Sequence, residues 1–409
     1  MIDIRAARAD PDTWRAALAR KGMAEEFDAL LAADEAWRAV NTRVDELRAR
    51  RKPAGKGKPS PEELEELNRV KAELKQAEEE LAEADLRRRE LLDVIPNPPD
   101  PNAPDGFTEE DAVELKRVGE PREFGFEPRD HLELGEIDME RGAKVSGSRF
   151  AYRLGDTALA ELALYRFALD RLAAKGFTTV LPPVLVREEA MYGTGFLPTD
   201  EVNLYRIERD ELYLTGTSEV GLAAFHMGEE LDVSSPLRYA GYSTCFRREA
   251  GAAGKDTRGM FRVHQFDKVE MFVFCLPERS SEEHDHLLAI EEELVAELGV
   301  PYRVVNIAAG DLGSMAAKKY DIEAWFPTQQ RYREITSTSN TTDYQARRLE
   351  VRYRREDGNL APVHTLNGTA VTARLLLAIM ENFQEEGGTY TVPSVLEQFG
   401  APQAVRAGR

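Results

Sequence analysis

The chain has 409 residues, 42% of them hydrophobic, which is enough for two or three domains with sizeable cores. No apolar run approaches the roughly 20 residues that a membrane-spanning helix needs, and residues 1–10 lack the apolar stretch of a secretory signal, so no membrane association and a cytoplasmic location are expected. Only two cysteines, Cys245 and Cys275, are present, which excludes a disulfide framework or a four-thiolate zinc site, and the net charge of −20 argues against a uniformly basic nucleic-acid binder.

Residues 1–100 form a candidate N-terminal domain. Phe27, Leu30, Ala33, Trp37, Val40, Val44 and Leu47 recur at three and four. After a loop rich in Pro, Gly and Lys, Ser60 stands as an N-cap with Pro61 at the first helical position and Glu63 three residues on. Leu67, Val70, Leu74, Ala77, Leu81 and Ala84 then repeat at the same spacing. Neither helix can bury so narrow a stripe alone, so an antiparallel coiled-coil hairpin is expected over about 27–92. Its turn carries Arg48, Arg50, Arg51, Lys52, Lys56 and Lys58 with no acid among them. A rod with a basic tip suits contact with a polyanion, whose phosphates would supply most of the affinity. Dimerisation or packing on the body are the structural alternatives.

Ile95-Pro96-Asn97-Pro98-Pro99-Asp100-Pro101 ends the second helix and reads as a stiff linker into residues 101–409. Beyond it, short strand-like runs occur at 178–181, 211–214, 269–274, 302–305 and 351–354, with helical stretches at about 157–175, 282–298 and 370–386. Strands and helices do not alternate regularly. An α+β domain with an antiparallel sheet is therefore expected. Glu283-His284-Asp285-His286 is read as the solvated start of a helix.

Gly251-Ala252-Ala253-Gly254-Lys255-Asp256 fails as a phosphate-binding P-loop, because its glycines are too close and Asp256 stands where Ser or Thr should bind Mg²⁺. Any nucleotide phosphates must then be held by side chains. Residues 245–274 offer them as two strands joined by a Gly-rich loop, with Arg247, Arg248, Arg258 and Arg262 as guanidinium forks and Glu249 and Glu270 among them. Glu334 and Ser337, three apart in a hydroxyl-rich stretch, could offer oxygens to Mg²⁺. Arg374 is a lone cation on an apolar helix that follows Thr365-Leu366-Asn367-Gly368-Thr369-Ala370, and it must pair with an acid, snorkel or meet an anionic ligand.

With these motifs, and with Leu181-Pro182-Pro183, Met191-Tyr192-Gly193-Thr194-Gly195, Thr217-Ser218-Glu219-Val220 and Gln345-Ala346-Arg347-Arg348, the whole chain resembles the bacterial-type seryl-tRNA synthetases. These are class II aminoacyl-tRNA synthetases with an antiparallel-sheet catalytic domain and an N-terminal coiled-coil arm. The resemblance implies an ATP-dependent serine–tRNA ligase that makes seryl-adenylate and passes the seryl group to tRNA(Ser), with tRNA(Sec) left open as a second acceptor. It implies that Arg247 meets the ATP α-phosphate, Glu249 the adenine amino group and Phe266 the adenine ring. Arg262 and Arg374 would grip the outer phosphates, with Arg248, Ile335 and Thr336 also in the ATP site, and Glu334 and Ser337 would bind Mg²⁺. Thr217, Ser218, Glu219, Arg247, Glu270, Asn367 and Thr369 would form the serine pocket, and Arg247 and Arg374 are the expected catalytic residues. A homodimer is implied, in which one subunit's arm serves its partner's active site and Leu181-Pro182-Pro183 lies at the interface.

The arm is shorter than is usual for the family, and the spacing from Asn367 to Arg374 is one residue shorter. Two other functions remain open from the residues. A paralogue could load seryl-adenylate onto another acceptor, although such relatives lack the arm. A non-catalytic tRNA-binding protein would not need Arg247, Glu249, Glu270, Glu334 and Arg374 together.

Overall fold

The computed structural model describes residues 1–51, 60–250 and 258–406, and the chain divides into two compact units, Met1–Pro98 and Pro99–Arg409. In the first unit, two long helices, α1 (Ala24–Arg50) and α2 (Pro61–Val94), pair over their length. At 1.5 Å per residue they are about 40 and 50 Å long. Val44, Leu47, Val70, Leu74 and Ala77 are buried between them. Ion pairs Arg43–Glu80 (2.8 Å), Arg48–Glu78 (2.9 Å) and Arg50–Glu66 (2.8 Å) cross from one helix to the other. One number falls toward the turn as the other rises, which is the order of an antiparallel hairpin. Ser60 and Glu63 form the expected capping box at the start of α2, with Pro61 behind the cap. Buried Asp34 is matched by Arg8 (2.8 Å), Arg38 (3.0 Å) and Arg88 (3.5 Å), so this interior charge is paired. Because Leu74 fills the seam, Leu74→Ala is expected to destabilise the arm by about 2–4 kcal/mol, seen as earlier loss of its helical circular dichroism on heating.

The second unit is built on an eight-stranded sheet. Its strands are β1 (Val113–Val118), β2 (Thr178–Val180), β3 (Leu237–Phe246), β4 (Gln265–Cys275), β5 (Tyr302–Asn306), β6 (Lys318–Phe326), β7 (Arg331–Thr342) and β8 (His364–Thr372). They lie in the order β1-β5-β6-β7-β8-β4-β3-β2. Every neighbouring pair is antiparallel except β2 with β3. Side chains alternate across a strand. Val269, Met271 and Val273 of β4 therefore join Ile322, Ala324, Leu366 and Ala370 in a core under helices α3 (Gly155–Ala174), α4 (Ser280–Glu297) and α5 (Ala373–Asn382). Their neighbours Phe266, Lys268 and Glu270 face the other way.

Two expectations change, and one stretch left without an element is assigned. Residues 370–372 end β8 and only 373–382 are helical, because a register shift between Thr369 and Val371 and the Thr372 cap divide the segment. The hydroxyl-rich residues 334–340 are strand, with the hydroxyls of Thr336 and Thr338 bonded inward. Glu283 and His284 are buried in the first turn of α4: Glu283 accepts two bonds from Arg238 (2.9 and 2.7 Å), and His284 Nε2 donates to the Thr338 carbonyl (3.1 Å). No helix of the described residues is long and apolar enough to cross a membrane.

Candidate functional site

The polar face of β4, β7 and β8 carries the site. Strand register sets Glu270 opposite Thr369, and alternation puts Phe266 and Lys268 on the same face as Glu270. On β7 simple alternation would turn Glu334 and Ser337 to opposite faces. A bulge corrects this: Glu334 pairs with Glu323 and Thr336 with Ile322, so the extra residue, Ile335, brings Ser337, opposite Asp321, back to the face of Glu334.

Arg247, Glu249, Arg262, Phe266, Glu334, Ile335, Thr369 and Arg374 line one cavity of about 110 Å³, together with Phe261 and Lys268. Arg247 follows β3 directly. Its Nε donates to the Gly216 carbonyl (3.0 Å), and its guanidinium lies 5.2 Å from the Phe266 ring centre. Among the described residues it has no ion-pair partner. Glu249 has φ of 51°, the left-handed region that costs an ordinary residue about 1 kcal/mol or more, and its carboxylate accepts from Arg262 (2.8 Å). Arg374, in the first turn of α5, pairs with Glu334 (3.2 Å) and donates twice to the Phe261 carbonyl (3.3 and 3.2 Å). The Asn367–Arg374 segment thus still delivers this guanidinium to the cavity. Desolvation raises the Glu334 carboxyl, but the charges of Arg374, Lys319 and Arg247 outweigh it and hold the group ionised, well below its ordinary value.

Beside this cavity two buried carboxylates approach each other. Glu219 begins a short helix (Glu219–Ala223) and accepts from Gln345 Nε2 (2.7 Å) and Asn367 Nδ2 (2.8 Å). Glu270 is ion-paired with Lys268 and accepts from Thr369 Oγ1 (3.5 Å). Burial, and then the charge of Glu270, push the Glu219 carboxyl up to about 7, with Gln345 partly offsetting them. The Thr217 hydroxyl accepts from the Glu219 amide (3.2 Å), and the Ser218 hydroxyl is bonded to that of Ser243 (2.8 Å).

Two of the expected ATP-site side chains are not brought into this group. Arg248 is exposed and lies over Tyr205 (6.0 Å), with its amide on the Asn203 carbonyl. Thr336 faces the core and donates to buried Glu291 (3.0 Å), because the bulge that delivers Ser337 turns it away. Lys268 and Ser243 belong to the site and were not picked out from sequence, and Gln345 was noted there only within a motif, with no role. Alternation with Phe266 and Glu270 could have found Lys268, whereas Ser243 and the contact of Gln345 with Glu219 are visible only in three dimensions. At the hairpin turn, Arg48 and Arg50 are exposed and engaged in the cross-helix pairs, and Arg51 is exposed. Lys52, Lys56 and Lys58, and the glycines 251 and 254, lie outside the described residues.

The hard oxygens of Glu334 and Ser337 on one face, with Asp321 beside Ser337, are chemically suited to a divalent cation. Among the described residues no group of three or more His, Cys, Asp or Glu could hold a metal unaided. An ion here would need ligand oxygens as well, which is how Mg²⁺ sits on nucleotide phosphates.

Residues 1–99 match the family model of the seryl-tRNA synthetase N-terminal domain, and residues 203–383 match that of the class II tRNA synthetase core domain (G, H, P, S and T). The chain is 50% identical to the serine–tRNA ligase of Corynebacterium efficiens, over 98% of both chains. It is 52% identical to that of Thermobifida fusca, over 98% of this chain and 97% of the relative. Its fold superposes on seryl-tRNA synthetase from Pyrococcus horikoshii complexed with ATP, with a TM-score of 0.93 and 41% identity over the full length of both chains. It also superposes on the cytoplasmic serine–tRNA ligase of Naegleria fowleri in complex with AMP, with a TM-score of 0.87 and 35% identity over 98% and 96% of the two chains. The likeness thus runs the full length of the chain, through arm and antiparallel core alike, and the chain belongs to the seryl-tRNA synthetase family of class II aminoacyl-tRNA synthetases.

Proposed function

We propose that this protein is an ATP-dependent serine–tRNA ligase. The observation that carries it is the junction of two sites of opposite charge. A cavity lined by Arg247, Arg262, Lys268 and Arg374, whose four cations outnumber the carboxylates Glu249 and Glu334 in the same lining, adjoins the buried carboxylates of Glu219 and Glu270. The first suits a triphosphate and the second the ammonium of an amino acid. The shared wall is where the carboxylate of serine would meet the α-phosphorus.

In the first step a serine carboxylate oxygen attacks the α-phosphorus, and the bond to pyrophosphate breaks. Both reactants are anionic, so fixed cations must suppress their repulsion and hold an in-line approach. Arg247 serves the α-phosphate, Arg262 and Arg374 the outer phosphates, Phe266 the adenine ring and Glu249 its amino group. Arg262 exchanges Glu249 for phosphate when ATP enters. Glu334 and Ser337 would hold Mg²⁺, which when bound supplies further charge neutralisation on the phosphates. In the second step a hydroxyl of the terminal tRNA ribose attacks the seryl carbonyl carbon and AMP leaves. Thr217, Ser218, Glu219, Glu270, Asn367 and Thr369 form the serine pocket. A site built to bond the substrate hydroxyl can reject alanine by about 10⁴-fold, because alanine strands buried polar groups.

The hairpin supplies the tRNA contact. Exposed ion pairs such as Arg48–Glu78 and Arg50–Glu66 are worth about 1 kcal/mol or less, so these arginines can exchange a carboxylate for a phosphate at little cost. Exposed Leu159 (49%), Leu162 (58%) and Leu181 (76%) support a homodimer, whose interface would cover them. Two buried free thiols, Cys245 and Cys275, accord with a reducing cytoplasm. The test is transfer of labelled serine to tRNA(Ser). Stable aminoacylation supports the proposal, and adenylate formed without transfer would return the carrier-loading alternative.

The raised Glu219 carboxyl sets a pH dependence. The ammonium of serine binds the ionised form, so the KM for serine in pyrophosphate exchange is expected to rise as pH falls below about 7, by up to about tenfold per unit. A flat profile from pH 5.5 to 8 contradicts this. For the ligand-free fold the sign is opposite: this group's contribution to stability is fully present below its ordinary value of 4.5 and is lost as pH rises through about 7.

A further inference from the structure

Between the two elements that carry Arg262 and Arg374 lies a buried histidine that the chemistry above does not use. His131 is 3% exposed and opens a one-turn helix, His131–Leu134. Its Nε2 lies 3.1 Å from the Met260 amide nitrogen and its Nδ1 lies 3.0 Å from Glu381 Oε1. An amide can only donate, so Nε2 is the acceptor, and Nδ1 carries the proton and donates to Glu381. Glu381 is fully buried, and its other oxygen accepts from the Thr328 hydroxyl (2.6 Å). The ring therefore joins Met260 to the C-terminal end of α5.

The N-terminal end of the same helix is joined to the next residue. Arg374 donates to the Phe261 carbonyl through Nε and an Nη. Seven residues of helix, about 10 Å, thus separate two anchors that close on the dipeptide Met260–Phe261, one through Arg374 and one through His131. The following residue is Arg262. Residues beside His131 strengthen the connection. The Arg129 amide donates to Gln384 Oε1 (2.8 Å), Gln384 Nε2 donates to the Arg129 carbonyl (3.0 Å), and Asp130 pairs with Arg258 (3.1 Å). Gly259 is required twice over. Its φ is 83°, and a Cβ there would stand 2.4 Å from His131 Nε2.

We propose that His131 is a positioning residue for ATP: its ring fixes the Met260–Phe261 backbone against α5, so that Arg262 and Arg374 keep the separation that grips the outer phosphates. This rests on the roles proposed above for those two arginines. A purely structural role would lower stability and affect both substrates alike. A positioning role falls on ATP, because the serine pocket residues Glu219, Glu270 and Thr369 make no contact with the ring.

Two conservative variants separate the bonds. In His131→Gln the side-chain oxygen reaches the place of Nε2 and can accept from Met260. In His131→Asn the amide group reaches only the place of Nδ1, which keeps the donor to Glu381 and loses Met260. Pyrophosphate exchange by the full-length protein, with melting temperatures measured in parallel, is the assay. Relative to wild type, Asn is expected to raise the KM for ATP by about tenfold, the worth of one buried hydrogen bond, with the KM for serine unchanged. Gln is expected to stay within about threefold on both. Equal KM values for ATP in the two variants, or a parallel rise for serine and ATP, would overturn the proposal. Absence of exchange by the wild type would instead refute the adenylation function itself, so the two failures are distinguishable. If Asn proves too unstable to assay, Gly259→Ala perturbs the same Met260 bond from the other side. It should give the same selective rise for ATP, and an unchanged KM for ATP there would also overturn the proposal.

Discussion

Arg247→Ala is expected to lower serine-dependent pyrophosphate exchange by about 10³-fold or more, in the range seen when a preorganised donor to a developing charge is removed, while the fold persists. The side chain gives little to the fold. One Nε bond to the Gly216 carbonyl and a stack on Phe266 are its described contacts, and no carboxylate among the described residues pairs with it. Its remaining N–H groups are therefore available to a ligand. Arg247→Lys should recover only part of the loss, because an ammonium keeps the charge but not the planar fork that meets two phosphate oxygens. Unchanged circular dichroism with lost exchange is the expected pair of results. Normal serine activation by the alanine variant would remove Arg247 from the mechanism.

Deleting residues 36–86 is expected to leave adenylate formation near the wild-type rate and to reduce tRNA charging by about 10²-fold or more, since phosphate contacts supply much of nucleic-acid affinity. The structure recommends these end points. Asp34 and Arg88, on opposite helices, are 3.5 Å apart at the closest polar atoms, so Glu35 and Arg87 can be joined by a short turn without displacing the paired Asp34. The seam residues Val44, Leu47, Val70, Leu74 and Ala77 leave together, and no half-buried stripe is exposed. Equal charging with and without the arm would refute its role. Loss of exchange as well would show that the deletion had damaged the fold.

The hairpin is legible in the sequence because both halves of its seam are local, repeating every three or four residues, and because Ser60, Pro61 and Glu63 mark the start of its second helix. The motif residues are legible by resemblance, and the arginines also by their number around a glycine loop. What escapes is whatever depends on pairing between distant strands. The Ile335 bulge, which decides that Ser337 and not Thr336 shares a face with Glu334, follows from register against β6 and leaves no mark in the local sequence. The same holds for the contact between Gln345 and Glu219, 126 positions apart, which the motif containing Gln345 does not reveal. The helix placed at 370–386 fails for a related reason. Its apolar run is continuous through the end of β8 into α5, and in the local sequence the Thr372 cap is the one mark that separates strand from helix. Arg374 illustrates the gain: it pairs with an acid, Glu334, and also stands where an anionic ligand would lie.

The most direct measurement is exchange of labelled pyrophosphate into ATP by the intact protein, with serine, alanine, threonine and cysteine supplied in turn. The arginine-lined cavity and the adjoining pair of carboxylates predict exchange that depends on serine and is about 10⁴-fold weaker with alanine. No exchange with any of the four, from a protein that is folded, would contradict the central claim that this site makes seryl-adenylate.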